Sequence, residues 1–261
     1  MQHAEALDTT SFWLSQLDGD DPDLGARRVQ AGRDRAPDLL VRAAVSDTDI
    51  AGRLLRSGLP MFELVVAAAA RTLTRWRQSR AQPTPPPLLA LETHGRVDAV
   101  VDSTGDDMID TTDTVGLLSA IYPLRMHYTD PHRVAEQLAA ILGAGIDYGL
   151  LRYLRADTAR RLSGLSGPQL LLNYVGRTDL GLVAQAGAGL RLDRELLGGL
   201  PPLSEPDLAV RHELTVMATL LGARDQQILL TQWRALPEIL NDSDLTAMQA
   251  LWDEALQETL T

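Results

Sequence analysis

The densest concentration of reactive side chains is Leu91-Glu92-Thr93-His94-Gly95-Arg96, where an apolar run ends in a carboxylate, an imidazole, a glycine and a guanidinium. A strand that stops at a glycine turn presents its last side chains to a cleft. A carboxylate placed there can serve as a base once partial burial raises its pKa. The same spacing also lets Glu92 pair with Arg96 and only steady the turn, and spacing alone leaves both readings open. A second candidate lies at residues 170–177, where Asn173 and Tyr174 interrupt an apolar strand ahead of Gly176. A tyrosine there can donate its hydroxyl to a bound carbonyl or act as an acid near its high pKa. The alternative is a core tyrosine with a satisfied hydroxyl. The third candidate, the glycine-rich stretch 143–149, is too loose for a nucleotide loop and reads as a flexible loop after a helix.

Composition removes several other chemistries. The chain has no cysteine, so it has no disulfide, thiolate nucleophile or cysteine-ligated metal. It has no lysine either, which excludes Schiff-base chemistry. A net charge of −11 opposes nucleic acid, whose phosphates need a basic surface. The five histidines show no metal-ligand spacing, so no metal is expected, and His127 and His132 flank a turn as solvated side chains. The most apolar stretch, 59–70, contains Glu63 and is too short to span a bilayer. With no signal pattern at residues 1–6, the expectation is a cytoplasmic protein without membrane contact.

These candidates need a frame to position them. Residues 8–17 predict a short helix with Phe12, Trp13, Leu14 and Leu17 on one side, followed by a polar surface loop over 19–37. Strand 39–45 comes next, then a helix capped by Asp47 or Thr48. A longer helix follows with Pro60 in its first turn, ending before the four prolines of 82–87. Strands are expected at 88–92, 170–175, 212–221 and 227–233, with a further apolar, partly β-branched run at 115–126. Asp130-Pro131 opens a helix to about residue 143, and an amphipathic helix over 242–260 closes the chain. The fold expected is one α/β domain over residues 1–261, a two-layer sandwich of a largely antiparallel sheet with helices on one face.

Four segments in order resemble the second half of the epimerization domains of nonribosomal peptide synthetases, relatives of the condensation domains. The family's E-G-H-G-R-E is matched by Glu92-Thr93-His94-Gly95-Arg96-Val97. Its R-T-V-G-W-F-T-x-x-Y-P is matched from Asp113 through Ser119 and Tyr122 to Pro123. Its G-x-G-Y-G-L-L-R-Y-L is matched from Gly145 to Leu154, and its F-N-Y-L-G-Q from Leu172 to Arg177. Looser similarity covers nearly the whole chain.

The resemblance implies a chloramphenicol-acetyltransferase-like lobe, one of two that enclose a tunnel for a substrate tethered to a carrier protein's phosphopantetheine arm. No further cofactor is implied. It assigns Glu92 and Tyr174 as catalytic residues lining one cavity, and His94, Ser119, Tyr122 and Asn173 as substrate-binding. The family's paired histidines belong to the first lobe. This chain has no adjacent histidines, so a separate N-terminal-lobe subunit is the implied partner, beside the carrier protein. Departures are Thr93, Val97, Asp113, Leu117, Leu118 and Arg177, which reshape and recharge the cavity. The leading expectation is one subunit of a two-chain enzyme of natural-product biosynthesis, with epimerization as the default reaction. A repurposed cavity that closes a ring, such as an aziridine, is one alternative. Others are a non-catalytic carrier-binding scaffold and a piece of a longer synthetase.

Overall fold

Six strands form one mixed sheet in the order β1-β6-β5-β4-β2-β3. The computed structural model describes residues 9–96, 113–141, 145–178, 205–222 and 227–260. The strands are β1 (Leu40–Val45), β2 (Leu88–Thr93), β3 (Ala120–Arg125), β4 (Leu170–Thr178), β5 (Leu214–Leu221) and β6 (Ile228–Ala235). The helices are α1 (Thr10–Leu17), α2 (Thr48–Arg56), α3 (Met61–Ser79), α4 (Pro131–Ala139), α5 (Ile146–Gly149), α6 (Ala156–Ser163) and α7 (Asp242–Glu258). The expected two-layer form holds, with one difference in the sheet. β4 runs parallel to both β2 and β5, so the centre is parallel and only the flanking pairs are antiparallel.

Strands β5 and β6 alternate strictly, burying Leu214, Val216, Ala218 and Leu220 together with Leu229, Thr231, Trp233 and Ala235. Successive side chains of a strand face opposite sides, so this period assigns one face to the core and leaves the other half-exposed. The covered face meets α3, whose Ala67, Ala68, Ala69 and Ala70 are all buried. Alanine suits this place twice, as the best helix former and as a side chain small enough for close packing. Trp252 of α7 meets Trp233 of β6 edge-to-face with ring centroids 5.7 Å apart. Local signals set the helix starts. Asp47 and Asp130 cap α2 and α4, and Asn241 forms a capping box with Asp244 at α7.

Two segments depart from the sequence reading. The polar stretch 19–37 is stitched into the core instead of lying loosely on the surface. Arg77 pairs with Asp21 at 2.5 Å, the two side chains being 1% and 6% exposed. Gln169 donates to Asp21 at 2.8 Å and to the Pro22 carbonyl at 2.8 Å, while its own oxygen accepts from Leu24 N at 2.8 Å. The stretch after Gly145 is helical, because α5 runs on into a π-helical turn at Leu150–Leu154. Gly145 starts it with φ +81° and packs so closely on Tyr122 that a Cβ would lie 2.1 Å from the ring. Residues 143 and 144 lie outside the described residues.

Candidate functional site

Register carries Glu92 into a row that crosses the whole sheet on its uncovered face. Glu92 is paired with Ile121 of β3 and Asn173 of β4, Asn173 with Met217 of β5, Met217 with Gln232 of β6, and Gln232 with Ala43 of β1. These residues are half-buried or exposed, as an open face requires. Asn173 Nδ2 donates to Glu92 Oε2 at 2.8 Å. Among the described residues no ion pair engages Glu92. Arg96, the alternative partner, donates through Nη2 to the Thr114 carbonyl at 2.8 Å. The turn-pairing reading of Glu92 therefore gives way to a side-chain pair bridging two parallel strands.

The turn after β2 is built around one residue. Gly95 has φ +62°, and a Cβ there would sit 1.8 Å from the Leu118 carbonyl oxygen. Only glycine supplies both the left-handed conformation and the clearance. His94 closes the same turn, its Nδ1 accepting from Arg96 N at 3.0 Å, and its ring is exposed. Ser119 is exposed in the segment that leads into β3. Val97, the last residue of the matched motif, lies outside the described residues.

The structure separates the remaining site candidates from Glu92. Tyr174 follows Asn173 directly along β4 and is paired with Ala218, a core-facing residue, so it points to the helix side of the sheet. There it packs against the core, and burial pushes its phenol up from the ordinary value. Tyr122 is paired with Leu91 and likewise faces the core, 3% exposed and 5.8 Å from the Trp13 ring. Burial raises its phenol pKa strongly. The expectation of one cavity lined by Glu92 and Tyr174 is thus corrected by strand parity, because odd steps along a strand change face. Glu92 and Asn173 are together; Tyr174 and Tyr122 face the helix side, and Tyr122 also lines the groove that Ile121 borders.

Two residues flanking the Glu92–Asn173 pair are not legible as such in the sequence. Ile121 is 42% exposed and Met217 half-buried, both on the open face. The alternation of β5 does place Met217 opposite its buried neighbours, but only register aligns it with Glu92. Beyond Asn173, β4 carries a bulge. Tyr174 pairs with Ala218 and Gly176 with Thr219, leaving Val175 as the extra residue, with Gly176 at φ +97°. A groove of about 1320 Å³ borders the row, sharing Ala90 and Ile121 with the surroundings of Glu92 and walled by Tyr148, Leu150, Tyr153 and Leu154. Among the described residues no helix is long and apolar enough to cross a membrane, and no cluster of three or more His, Cys, Asp or Glu could hold a metal.

No family model matches the chain. Among curated proteins it is similar to a component protein of the linear gramicidin synthase of Brevibacillus parabrevis, 26% identical over 96% of this chain and 3% of that protein. It is also similar to nonribosomal peptide synthetase 5 of Gibberella zeae, 24% identical over 100% of this chain and 2% of that one. The chain thus spans only a few per cent of these relatives. Among solved structures, the epimerization domain from the third module of tyrocidine synthetase B superposes with a TM-score of 0.72. It is 19% identical, and the match covers 99% of this chain and 57% of that one. The first condensation domain of the calcium-dependent antibiotic synthetase gives 0.54 at 16% identity, covering 99% and 52%. The chain has the fold of the epimerization and condensation domains of nonribosomal peptide synthetases, and over its length it resembles the C-terminal half of such a domain.

Proposed function

We propose that this chain is the second lobe of a two-chain enzyme of the epimerization/condensation type in nonribosomal-peptide-like biosynthesis. Glu92 acts as its general acid–base on an amino-acyl group, delivered on the phosphopantetheine arm of a carrier protein. The observation that carries this reading is the Glu92–Asn173 pair, standing half-exposed on an uncovered sheet face. A structural carboxylate in a core is saturated by its partners, whereas Glu92 accepts only the Asn173 bond among the described residues. A partner lobe docked over that face would strip water from Glu92 and raise its basicity. The match to about half of each solved domain supports a partner of similar size.

The test is reconstitution with the partner lobe and a loaded carrier protein. Glu92→Gln keeps the shape and the Asn173 contact but removes the base, so turnover of the pair should fall to background while the chain stays folded. Full activity in that variant would refute the assignment. Carrier binding without turnover in the unaltered pair would mark the lobe as a scaffold.

A further inference from the structure

The two edges of the sheet are finished differently. Met126 N donates to the Pro87 carbonyl at 2.7 Å, so alternate residues of β3 bond to β2 and Ile121, Pro123 and Arg125 turn their backbone groups outward. Pro123 has no N–H to offer. Arg125 N donates to the Gln16 side chain at 3.1 Å, and the Arg125 carbonyl accepts from Gln137 Nε2 at 2.7 Å. Such devices keep an edge strand from pairing with a neighbour.

The β1 edge lacks them. Ser46 N donates to the Leu229 carbonyl at 2.9 Å, so Leu40, Arg42 and Ala44 bond to β6 while Val41, Ala43 and Val45 turn their backbone groups outward. Among the described residues no hydrogen bond engages those outward groups. All three residues are exposed, Val41 at 50% and Val45 at 56%, and none is charged or a proline. Arg42, on the helix side, is held by Asp242 at 2.5 Å. The outward residues also read alike in both directions, as Val, Ala, Val. A two-fold axis at Ala43 would set Ala43 against Ala43 of a second copy, and Val41 against its Val45. Each such pair exchanges both backbone bonds, and the β-branched side chains meet on the open face. A two-fold contact has to be self-complementary, and this strand is.

We propose that β1 joins two copies of this chain, edge to edge and antiparallel, into one continuous sheet. The inference goes beyond the function argued above and stands without it. The axis is normal to the sheet, so both open faces lie on the same side. β1 is first in the strand order and β2 fifth, so the junction leaves Glu92 uncovered. The net charge of −11 on each copy opposes approach, so the dimer is a reversible one and is favoured by added salt.

The test is sedimentation velocity on the full chain, at screening salt, over a concentration series up to about 100 μM. Hydrogen exchange is measured at both ends of the series. A monomer–dimer equilibrium is expected, with the amides of Val41, Ala43 and Val45 slowed in the dimer and those of Arg42 and Ala44 unchanged. Ala43→Pro removes an outward N–H that the chain itself does not use. The fold should persist while the dimer dissociation constant rises by about tenfold or more. Val41→Lys puts a charge on the edge without touching the backbone, should weaken the dimer in the same way, and decides the matter if the proline variant does not fold. A chain that stays monomeric throughout the series overturns the proposal, and so does a dimer that survives the folded variants. A dimer that leaves the three amides unprotected and is dissociated by Ile121→Lys overturns it too, because the copies would then be stacked through their open faces.

Discussion

Asp21 and Glu92 each accept a hydrogen bond from a side-chain amide at 2.8 Å, from Gln169 in one case and Asn173 in the other. Asp21 then receives Arg77 at 2.5 Å and disappears from solvent. Glu92 receives no ion pair among the described residues and stays half-exposed on the uncovered face. The pairs differ in saturation, not in parts. Burying a carboxylate requires that its charge be met, so both Asp21 oxygens are engaged, Oδ1 by Arg77 and Oδ2 by Gln169, and the contacts hold the segment 19–37 against α3 and β4. Leaving Glu92 incomplete is tolerable only at a surface, and a surface carboxylate anchored by an amide is oriented yet free to bind.

The largest effect should come from breaking the buried pair. Arg77→Ala leaves Asp21 buried without its counter-charge, and unfolding in urea should show a loss of about 3–5 kcal/mol. A loss below about 1 kcal/mol would mean that the pair is solvated in practice. Next comes the turn that aims Glu92. Gly95→Ala forces a side chain into φ +62° and against the Leu118 carbonyl. It should cost about 2 kcal/mol or more, and displace the Asn173 side-chain amide resonance while leaving the Arg77 region unchanged.

Much of this frame could be read from residue order. The caps Asp47 and Asp130, the prolines after α3 and the alternation of β5 each reflect local physics that the chain displays directly. The segment 19–37 could not be read, because its anchors Arg77 and Gln169 lie far off in sequence and a polar loop looks alike whether stitched or loose. The site was half legible. Glu92 and Asn173 stood out as polar residues ending apolar runs, and the matched motifs placed Tyr174 and Tyr122 beside them. Whether two residues on different strands share a face depends on register, which no single strand encodes. That is why Ile121 and Met217 were overlooked and the tyrosines misplaced.

A smaller test concerns His212, which belongs with the saturated groups. Its Nδ1 donates to the Pro168 carbonyl at 3.0 Å, and burial lowers its pKa. A histidine whose folded pKa is depressed is stabilising above its unfolded value of about 6.5, and that contribution is lost as pH falls through it. Adjacent Glu213 acts in the opposite sense, since burial raises its pKa and costs stability as pH rises. His212→Gln leaves Glu213 in place, so the difference between the two proteins isolates the histidine. Between about pH 7.5 and about pH 5.5, the native chain should lose about 1 kcal/mol or less more than the variant. Parallel urea midpoints at both pH values would show that His212 titrates normally.

The smallest effect on stability should come from the residue that matters most for chemistry. Glu92→Gln exchanges one acceptor oxygen for an amide, and the remaining oxygen can still receive Asn173 Nδ2 at the observed geometry. A half-exposed site of this kind shifts stability by only about 0.5 kcal/mol in either direction. Asp21→Asn is its proper control. There the same change discharges a carboxylate that Arg77 needs, and stability should fall by about 3 kcal/mol or more. If both variants were equally destabilised, Glu92 would be as structurally committed as Asp21. Near-neutrality at Glu92 beside a severe loss at Asp21 would separate a carboxylate kept available for a ligand from one consumed by the fold.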